Sequence, residues 1–287
     1  MRLLSLRHNG HDTIAVRKDD GIYDLRVAAP DLPTGLDLLM SSGTDWLARA
    51  HKATAEVTEA AKLSGTEITY RPVLERPGKF ICVGRNYAAH AREGGAEPLA
   101  YPDLFTRCNT SLAGHGQPMI RPKCSDKFDY EGELAFVVGR RARHVRRENA
   151  LDYVMGYTLF NDGTLRDYQR KSTQWTIGKN FDGTGAFGPD LVTVDELPAG
   201  ATGLTLTTIL NGVEMQHGEI DDLIFPVDAL IEILSECMTL EPGDVVATGT
   251  PSGVGYARKP PVFLKAGDVV EIDLGPIGRL RNSIADE

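Results

Sequence analysis

The sequence predicts an α+β protein that is rich in β-structure, with a small N-terminal α+β domain ahead of a larger one. Up to about residue 73, strand-like and helical segments are mixed. Beyond that point, many short runs rich in Val, Ile and Thr are bounded by Gly, Pro, Asn or Asp, which is typical of a β-rich domain with few helices. Residues 74–79 contain Pro77 and Gly78 and predict a linker. We therefore expect an N-terminal domain over 1–73, a linker over 74–79 and a main domain over 80–287.

Individual elements follow from local patterns. In the N-terminal part we expect a strand pair around Arg2–Leu25 and helices over Gly35–Leu63. In the main domain, the dipeptide Asn211-Gly212 follows an apolar run and predicts a hairpin turn. Apolar side chains recur at helical spacing over Pro226–Met238 and predict an amphipathic helix.

The composition predicts an ordinary soluble globular protein. The chain has 287 residues, of which 41% are hydrophobic and 25% charged, and its formal net charge is -9. An acidic protein is a poor partner for a phosphate backbone, so we expect no nucleic-acid binding. The one dense basic run, at residues 140–147, is short and is interpreted as a solvated surface loop.

Cysteine usage and hydropathy bear on the cellular compartment. The four cysteines (Cys82, Cys108, Cys124 and Cys237) are scattered without a C-x-x-C pair, which predicts neither a zinc knuckle nor a disulfide framework. The first residues include no apolar stretch long enough for a signal peptide, and no apolar run is long enough to span a bilayer. We therefore expect a cytoplasmic protein with no membrane partner.

Two carboxylates spaced by two residues are the first chemical signal. Glu131 and Glu133 stand just before an apolar run that predicts a buried strand. In an extended chain both side chains point the same way. Two anions side by side repel, so they either face open water at a strand edge or hold a positive group between them. A hard divalent cation is the simplest such group.

A divalent cation needs further oxygen ligands, and Asp162 is the best candidate in the sequence. It follows the strand-like run at residues 153–161, where a strand gives way to a loop. The alternative is that Asp162 caps the first turn of a helix.

Arg166, Gln169 and Lys179 are candidate groups for binding an anionic substrate. Arg166 and Gln169 are three residues apart, so they share one face if the segment is helical, and such a face can hold a carboxylate. Lys179, close to a carboxylate-bound metal, would stabilise an anionic intermediate. The alternatives are that Arg166 pairs with Asp167 or Glu131 and that Lys179 is a solvated charge.

Two further segments are candidates for the same site. His90 and Glu93 are three apart on a predicted short helix, so the carboxylate can orient the imidazole and raise its basicity. The alternative is a solvated surface pair. Near the C-terminus, the Gly-rich loop at 248–255 offers N-H groups and the Thr250 hydroxyl to a small anion, or is simply a tight turn. It lacks the phosphate-loop pattern, so no nucleotide is implied.

Taken together, these segments resemble the fumarylacetoacetate hydrolase superfamily from about residue 79 to 284, and within it a bacterial-type member similar to acylpyruvate hydrolases. The matching motifs, in order, are Gly84-Arg85-Asn86-Tyr87 with His90 and Glu93, Glu131-Gly132-Glu133, Asn161-Asp162 with Arg166-Asp167 and Gln169, Gln174-Trp175 with Gly178-Lys179, Phe225-Pro226, the run from Met238 to Asp244, and Thr248-Gly249-Thr250-Pro251. One departure is Arg107, which stands where Lys is more usual.

The resemblance implies a fold, a cofactor and roles for the site residues. It implies a mixed β-roll core, a homodimer, and one Mg²⁺ or Mn²⁺ ion per subunit. The implied roles are metal binding by Glu131, Glu133 and Asp162, proton transfer by His90 with Glu93, charge stabilisation by Lys179, and substrate orientation by Arg85, Arg166, Gln169 and Thr250.

The expected function is that of a metal-dependent hydrolase of small 2-oxo acids. It would cleave a C-C bond of an acylpyruvate-type 2,4-diketo acid, giving pyruvate or a related 2-oxo acid and a carboxylic acid. The alternatives on the same site are an oxaloacetate-type decarboxylase and a 2-hydroxyhepta-2,4-diene-1,7-dioate isomerase. A more remote alternative is a metal-stabilised binding protein without catalysis. The residues quoted do not separate these possibilities.

Overall fold

The computed structural model describes residues 1–43, 45–64, 68–95, 97 and 100–287. The strands are β1 (Arg2–His8), β2 (His11–Lys18), β3 (Gly21–Asp24), β4 (Ile68–Tyr70), β5 (Phe80–Gly84), β6 (Asp103–Thr106), β7 (Leu112–Ala113), β8 (Met119–Arg121), β9 (Phe128–Asp129), β10 (Gly132–Val138), β11 (Val154–Asp162), β12 (Thr164–Leu165), β13 (Gly185–Thr193), β14 (Thr205–Leu210), β15 (Val213–Glu219), β16 (Val245–Ala247), β17 (Val269–Asp273) and β18 (Arg279–Asp286). The α-helices are α1 (Leu25–Ala28), α2 (Leu36–Met40), α3 (Trp46–Glu56), α4 (Ala88–Glu93), α5 (Arg166–Gln169), α6 (Thr176–Lys179) and α7 (Val227–Cys237). Short 3-10 turns connect several of them.

A large mixed sheet forms the centre of the molecule. Its strand order is β3-β2-β1-β13-β11-β10-β16-β5-β6, with β4 paired to β1 and β7 paired to β13. The N-terminal strands join this sheet because β1 pairs antiparallel with β13, where Arg2 lies opposite Val192. Residues 1–73 therefore share a sheet with later strands, and the division into 1–73, 74–79 and 80–287 stays a prediction.

A second sheet of five strands, in the order β15-β14-β17-β18-β8, packs against one face of the large sheet. Strand β10 shows why both faces are buried. Its Leu134 and Phe136 pack with Leu206 and Ile272 of the second sheet, whereas its Val137 packs in a separate cluster with residues of β1, α2 and α3. A strand buried on both faces requires a continuous apolar run. The predicted α+β, β-rich fold class is confirmed.

Most elements predicted from local patterns are present. The strand pair at the N-terminus is a three-stranded meander, and the helical region contains α2 and α3; residue 44 of that region lies outside the described residues. Asn211 and Gly212 form the hairpin turn between β14 and β15, with φ values of 52° and 82°. These positive values are what a two-residue turn of this kind requires. The amphipathic helix is α7.

The strand directions bring several chain segments to one edge of the large sheet. Strands β11 and β16 each run antiparallel to β10, and β5 runs parallel to β16. The carboxyl ends of β5, β11 and β16 therefore lie beside the beginning of β10. Polar side chains that follow those strand ends converge there. Among the described residues, no helix is long and apolar enough to cross a membrane.

Candidate active site and metal centre

Three buried carboxylates lie together at this edge of the sheet. Glu131, Glu133 and Asp162 each offer an oxygen, and these oxygens lie within 4.8 Å of one another. Glu131 directly precedes β10, Glu133 is its second residue, and Asp162 is the last residue of β11. The structure thus brings together the three residues that the sequence analysis selected as metal ligands.

The register of β10 and β11 explains this convergence. Gly132 lies opposite Asn161 in the antiparallel pair, and the Asp162 N-H donates to the Glu131 carbonyl oxygen at 2.9 Å. Asp162 is therefore the cross-strand neighbour of Glu131. Glu133, two residues along the strand, points to the same side as Glu131.

Three buried cations neutralise most of this negative charge. Lys179 at the end of α6 places its Nζ 2.5 Å from both Glu131 Oε2 and Asp162 Oδ2. Arg107 donates from Nη1 to Asp162 Oδ1 at 2.6 Å, and Arg166 Nη2 lies 2.6 Å from Glu131 Oε1. Arg166 therefore pairs with Glu131, which was one of the alternatives that the sequence left open.

The cations shift the pKa values of Glu131 and Glu133 apart. Burial alone would raise the pKa of Glu131, but Arg166 and Lys179 hold that pKa below its usual range. Glu133 contacts no such cation; its Oε2 accepts the Gly249 N-H at 3.0 Å. Burial, with Asp162 and Glu131 nearby, raises the pKa of Glu133 well above its usual range.

The donor set fits a hard divalent ion. Carboxylate oxygens are the ligands that Mg²⁺ and Mn²⁺ prefer. Counting Asp129, the buried cluster contains four carboxylates against the three cations Arg107, Arg166 and Lys179, so with all groups ionised the carboxylates exceed the cations by one formal charge. Added positive charge is therefore favourable at this point. The residues that would hold the ion are Glu131, Glu133 and Asp162.

A histidine and a glutamate form a second functional group beside the carboxylates. On α4, His90 Nδ1 donates to Glu93 Oε1 at 2.8 Å, and both side chains are largely buried. Glu93 also accepts the Gly253 N-H, with Oε2 2.9 Å away. This arrangement orients the imidazole through Nδ1 and leaves Nε2 as the ring nitrogen that Glu93 does not engage. The two side chains are in contact and largely buried, so the alternative of a solvated surface pair does not describe them.

The four predicted substrate-binding residues all border the same cavity. Several of their polar atoms are already hydrogen-bonded to other groups of the protein. Arg85 Nε donates to Asp103 at 2.9 Å, and Arg166 Nη1 donates to Gln169 Oε1 at 3.1 Å. Thr250 Oγ1 donates to the Gly132 carbonyl oxygen at 2.9 Å, so its proton is engaged within the protein. We keep the substrate-binding role of these four residues as a proposal.

The structure adds residues that the sequence analysis assigned no role. Asp129 is fully buried, accepts from Arg166 Nε at 2.8 Å, and also accepts the N-H groups of Gly255 and Tyr256. It continues the alternation of Glu131 and Glu133 two residues earlier, which is the signal that points to it. Tyr256 has no such signal, because its place depends on the turn after Gly253.

A cavity of about 200 Å³ lies beside the carboxylates and His90. Its lining residues include the three carboxylates and His90, together with Arg85, Phe105, Arg166, Gln169, Arg170, Trp175, Lys179, Thr250 and Tyr256. Pockets for drug-sized ligands occupy roughly 300–1,000 Å³. This cavity therefore suits a small, highly charged molecule.

Comparisons with known proteins identify a family and relatives of this chain. A family model described as fumarylacetoacetate (FAA) hydrolase C-terminal matches residues 79–285. The oxaloacetate tautomerase YisK of Bacillus subtilis (strain 168) is 38% identical over 283 residues, covering 93% of each chain.

Two solved structures are similar over essentially the whole chain. A fumarylacetoacetate hydrolase from psychrophilic Exiguobacterium antarcticum has a TM-score of 0.86 and 32% identity, covering 100% of both chains. A maleylpyruvate hydrolase from Sphingobium sp. SYK-6, in complex with manganese(II) ion and pyruvate, has a TM-score of 0.82 and 25% identity, covering 100% of this chain and 99% of that chain.

Proposed function

Because this chain belongs to the fumarylacetoacetate hydrolase family, we propose that it catalyses the keto-enol tautomerisation of oxaloacetate or a closely related 2-oxo acid. The observation that supports this most is that His90, oriented by Glu93, borders a cavity with three metal-competent carboxylates. The relative that is 38% identical over 93% of the chain is named for this reaction. The family resemblance predicted from the motifs is confirmed.

Tautomerisation needs a group that moves one proton. His90 would accept the proton from C3 at Nε2 as the C3-H bond breaks, and would deliver it to the 2-oxo oxygen to complete the enol. Glu93 stabilises the imidazolium in between, because its carboxylate accepts the Nδ1-H at 2.8 Å. Lys179 contributes positive charge close to the oxygen on which negative charge develops. No water or other co-reactant is consumed.

A divalent ion, when bound by Glu131, Glu133 and Asp162, would supply Lewis-acid polarisation of the 2-oxo group. The protein's own contribution is to hold these carboxylates close together at the sheet edge and to exclude bulk water. All three are nearly inaccessible to solvent. Electrostatic interactions are stronger in such an environment than in water.

A second candidate is the hydrolysis of an acylpyruvate. The same His90-Glu93 pair would deprotonate a water, and the fold is shared with a maleylpyruvate hydrolase that holds manganese(II) and pyruvate. Decarboxylation of oxaloacetate and isomerisation of a hydroxydienedioate use the same groups without an attacking water. We rank tautomerisation first because of the relative named for it.

The deciding experiment follows both reactions in parallel. The decay of enol absorbance of oxaloacetate measures tautomerisation, and coupled pyruvate detection measures cleavage of oxaloacetate and of acetylpyruvate. Each assay is run with Mg²⁺ and with excess EDTA. Metal-dependent enol decay without pyruvate release supports the tautomerase; metal-dependent pyruvate release from acetylpyruvate as the faster reaction would replace it with the hydrolase.

Glu93→Gln should lower turnover by about two to three orders of magnitude, within the range for general acid-base catalysis. Gln keeps a similar shape but has no charge with which to stabilise the imidazolium. Bound Mn²⁺, measured by calorimetry, should be retained because Glu93 is not among the three ligand carboxylates. Wild-type turnover in this variant would rule out the role of the pair. Glu97→Gln makes the same chemical change at an exposed residue four positions further along the chain and is the matched control.

A further inference from the structure

Four cationic side chains line the cavity, and three of them already have carboxylate partners. Arg85 pairs with Asp103, while Arg166 and Lys179 pair with the buried carboxylates described above. The fourth is Arg170, which follows α5 and is exposed at the cavity. Within the part of the chain that the structure describes, Arg170 makes no ion pair. Among the described residues that line the cavity, Arg170 is therefore the one Arg or Lys whose charge is not paired with a carboxylate.

Arg170 is nevertheless held in place by an aromatic ring. Its guanidinium carbon lies 4.8 Å from the centre of the Tyr256 ring, and that of Arg166 lies 4.3 Å from the same ring. The Tyr256 backbone is anchored through its N-H to Asp129 at 3.0 Å. A methyl group placed on Gly94, which follows α4, would meet the Tyr256 hydroxyl at 2.8 Å. Tyr256 thus lies between the C-terminal end of α4, which carries His90, and the Arg170 side chain.

A guanidinium placed over an aromatic ring is attracted to the face of that ring and does not use its N-H donors for this contact. The five N-H donors of a guanidinium lie in one plane along its edge. A planar fork of this kind matches a carboxylate, to which it can donate two parallel hydrogen bonds. The three metal-competent carboxylates have the opposite effect on a substrate carboxylate: they repel it unless a metal ion lies between them.

We infer that Arg170, held against Tyr256, binds the second carboxylate of a dicarboxylic 2-oxo acid and thereby selects such substrates over 2-oxo acids with a neutral tail. This inference rests on the proposed function, since it takes the 2-oxo end to lie at Glu131, Glu133 and Asp162. A neutral acyl tail gains nothing from Arg170 and leaves its donors to water. Tyr256 is a positioning residue in this scheme.

The test compares two substrates that share the same first three carbons. Oxaloacetate ends in a carboxylate and acetylpyruvate in a neutral acetyl group, and both undergo keto-enol exchange. Arg170→Gln should raise KM for oxaloacetate about tenfold more than KM for acetylpyruvate, as expected for a charged hydrogen bond. Tyr256→Leu, which removes the ring, should reduce the same selectivity. Lys171→Gln is the matched control: it removes the neighbouring cation, whose Nζ lies 3.3 Å from the centre of the Tyr168 ring and which does not line the cavity.

Calorimetric binding of both compounds in the presence of Mg²⁺ separates this inference from the proposed function. If the wild type lacks tautomerase activity, the proposed function fails, and a selective loss of oxaloacetate binding in Arg170→Gln still supports the distal site. If Arg170→Gln changes the binding and KM of both compounds equally, or of neither, the inference is overturned. The same holds if Lys171→Gln produces the selective change. Thermal unfolding of each variant confirms that it is folded.

Discussion

Glu133→Gln should lose divalent-metal binding while remaining at least as stable as the wild type in EDTA. Glu133 is the one ligand carboxylate that pairs with no cation among the described residues, and burial raises its pKa well above the usual range. A neutral amide of nearly the same shape can keep the hydrogen bond from Gly249. Removing this charge therefore leaves no broken ion pair, but it removes one of three charged ligands.

The expected loss in Mn²⁺ affinity exceeds about a hundredfold, since even changes outside the direct ligands cost 10- to 100-fold. Turnover should fall by roughly a thousandfold, because Lewis-acid stabilisation supplies several kcal/mol and each 1.36 kcal/mol is a factor of ten. Calorimetry with Mn²⁺ and thermal unfolding with and without metal measure both effects. Metal should raise the wild-type unfolding midpoint and leave that of the variant unchanged.

Glu236→Gln makes the same chemical change at an exposed position and should leave metal binding as in the wild type. Wild-type Mn²⁺ affinity in Glu133→Gln would contradict the ligand assignment. A large drop in stability in EDTA would instead show that the carboxylate is compensated by a group that the structure does not place beside it.

Arg107→Met should destabilise the protein by about 3–5 kcal/mol, the cost of removing one partner from a buried ion pair. The Arg107 side chain is fully buried and donates to Asp162 Oδ1 at 2.6 Å and to Thr184 Oγ1 at 2.8 Å. It also donates to Ser111 Oγ at 3.1 Å. Methionine fills similar space but leaves Asp162 without this counter-charge and the two hydroxyls without a donor.

Arg107→Lys distinguishes the effect of the charge from the effect of the side-chain shape. Lys keeps the positive charge beside Asp162 but cannot reach Ser111 and Thr184 at once, so we expect a loss of about 1–2 kcal/mol. Urea unfolding measures both variants. Arg146→Met, at a side chain that is 82% exposed, is the control and should change little. An unfolding free energy within 1 kcal/mol of wild type for Arg107→Met would show that the pair contributes no net stability.

Local patterns in the sequence determined the type of the main elements and the identity of the metal-competent residues. Alternation along an extended chain places Glu131 and Glu133 on one side, and the apolar run after them predicts a buried strand. The Asn211-Gly212 turn and helix α7 follow equally from neighbours in sequence. His90 and Glu93 are three residues apart on α4, so their contact also needed only local geometry.

The tertiary structure decided which charges meet. Arg107 and Asp162 are 55 residues apart, and Lys179 reaches Glu131 across 48 residues. No periodicity relates such positions, because their contact depends on the order of strands in the sheet. The pairing of β1 with β13 likewise depends on strand order. It places a strand of the predicted N-terminal domain beside a strand of the predicted main domain.

The cavity shows the same limit for residues near the substrate. The sequence offered the Thr250 hydroxyl as a donor to a small anion, with a tight turn as the alternative, and folding directs its proton to the Gly132 carbonyl. It gave Arg170 no role, and only the packing of Tyr256 makes it an oriented cation at the cavity. A side chain's chemical type is set by the sequence, whereas the availability of its donors and charges depends on neighbours brought together by long-range contacts.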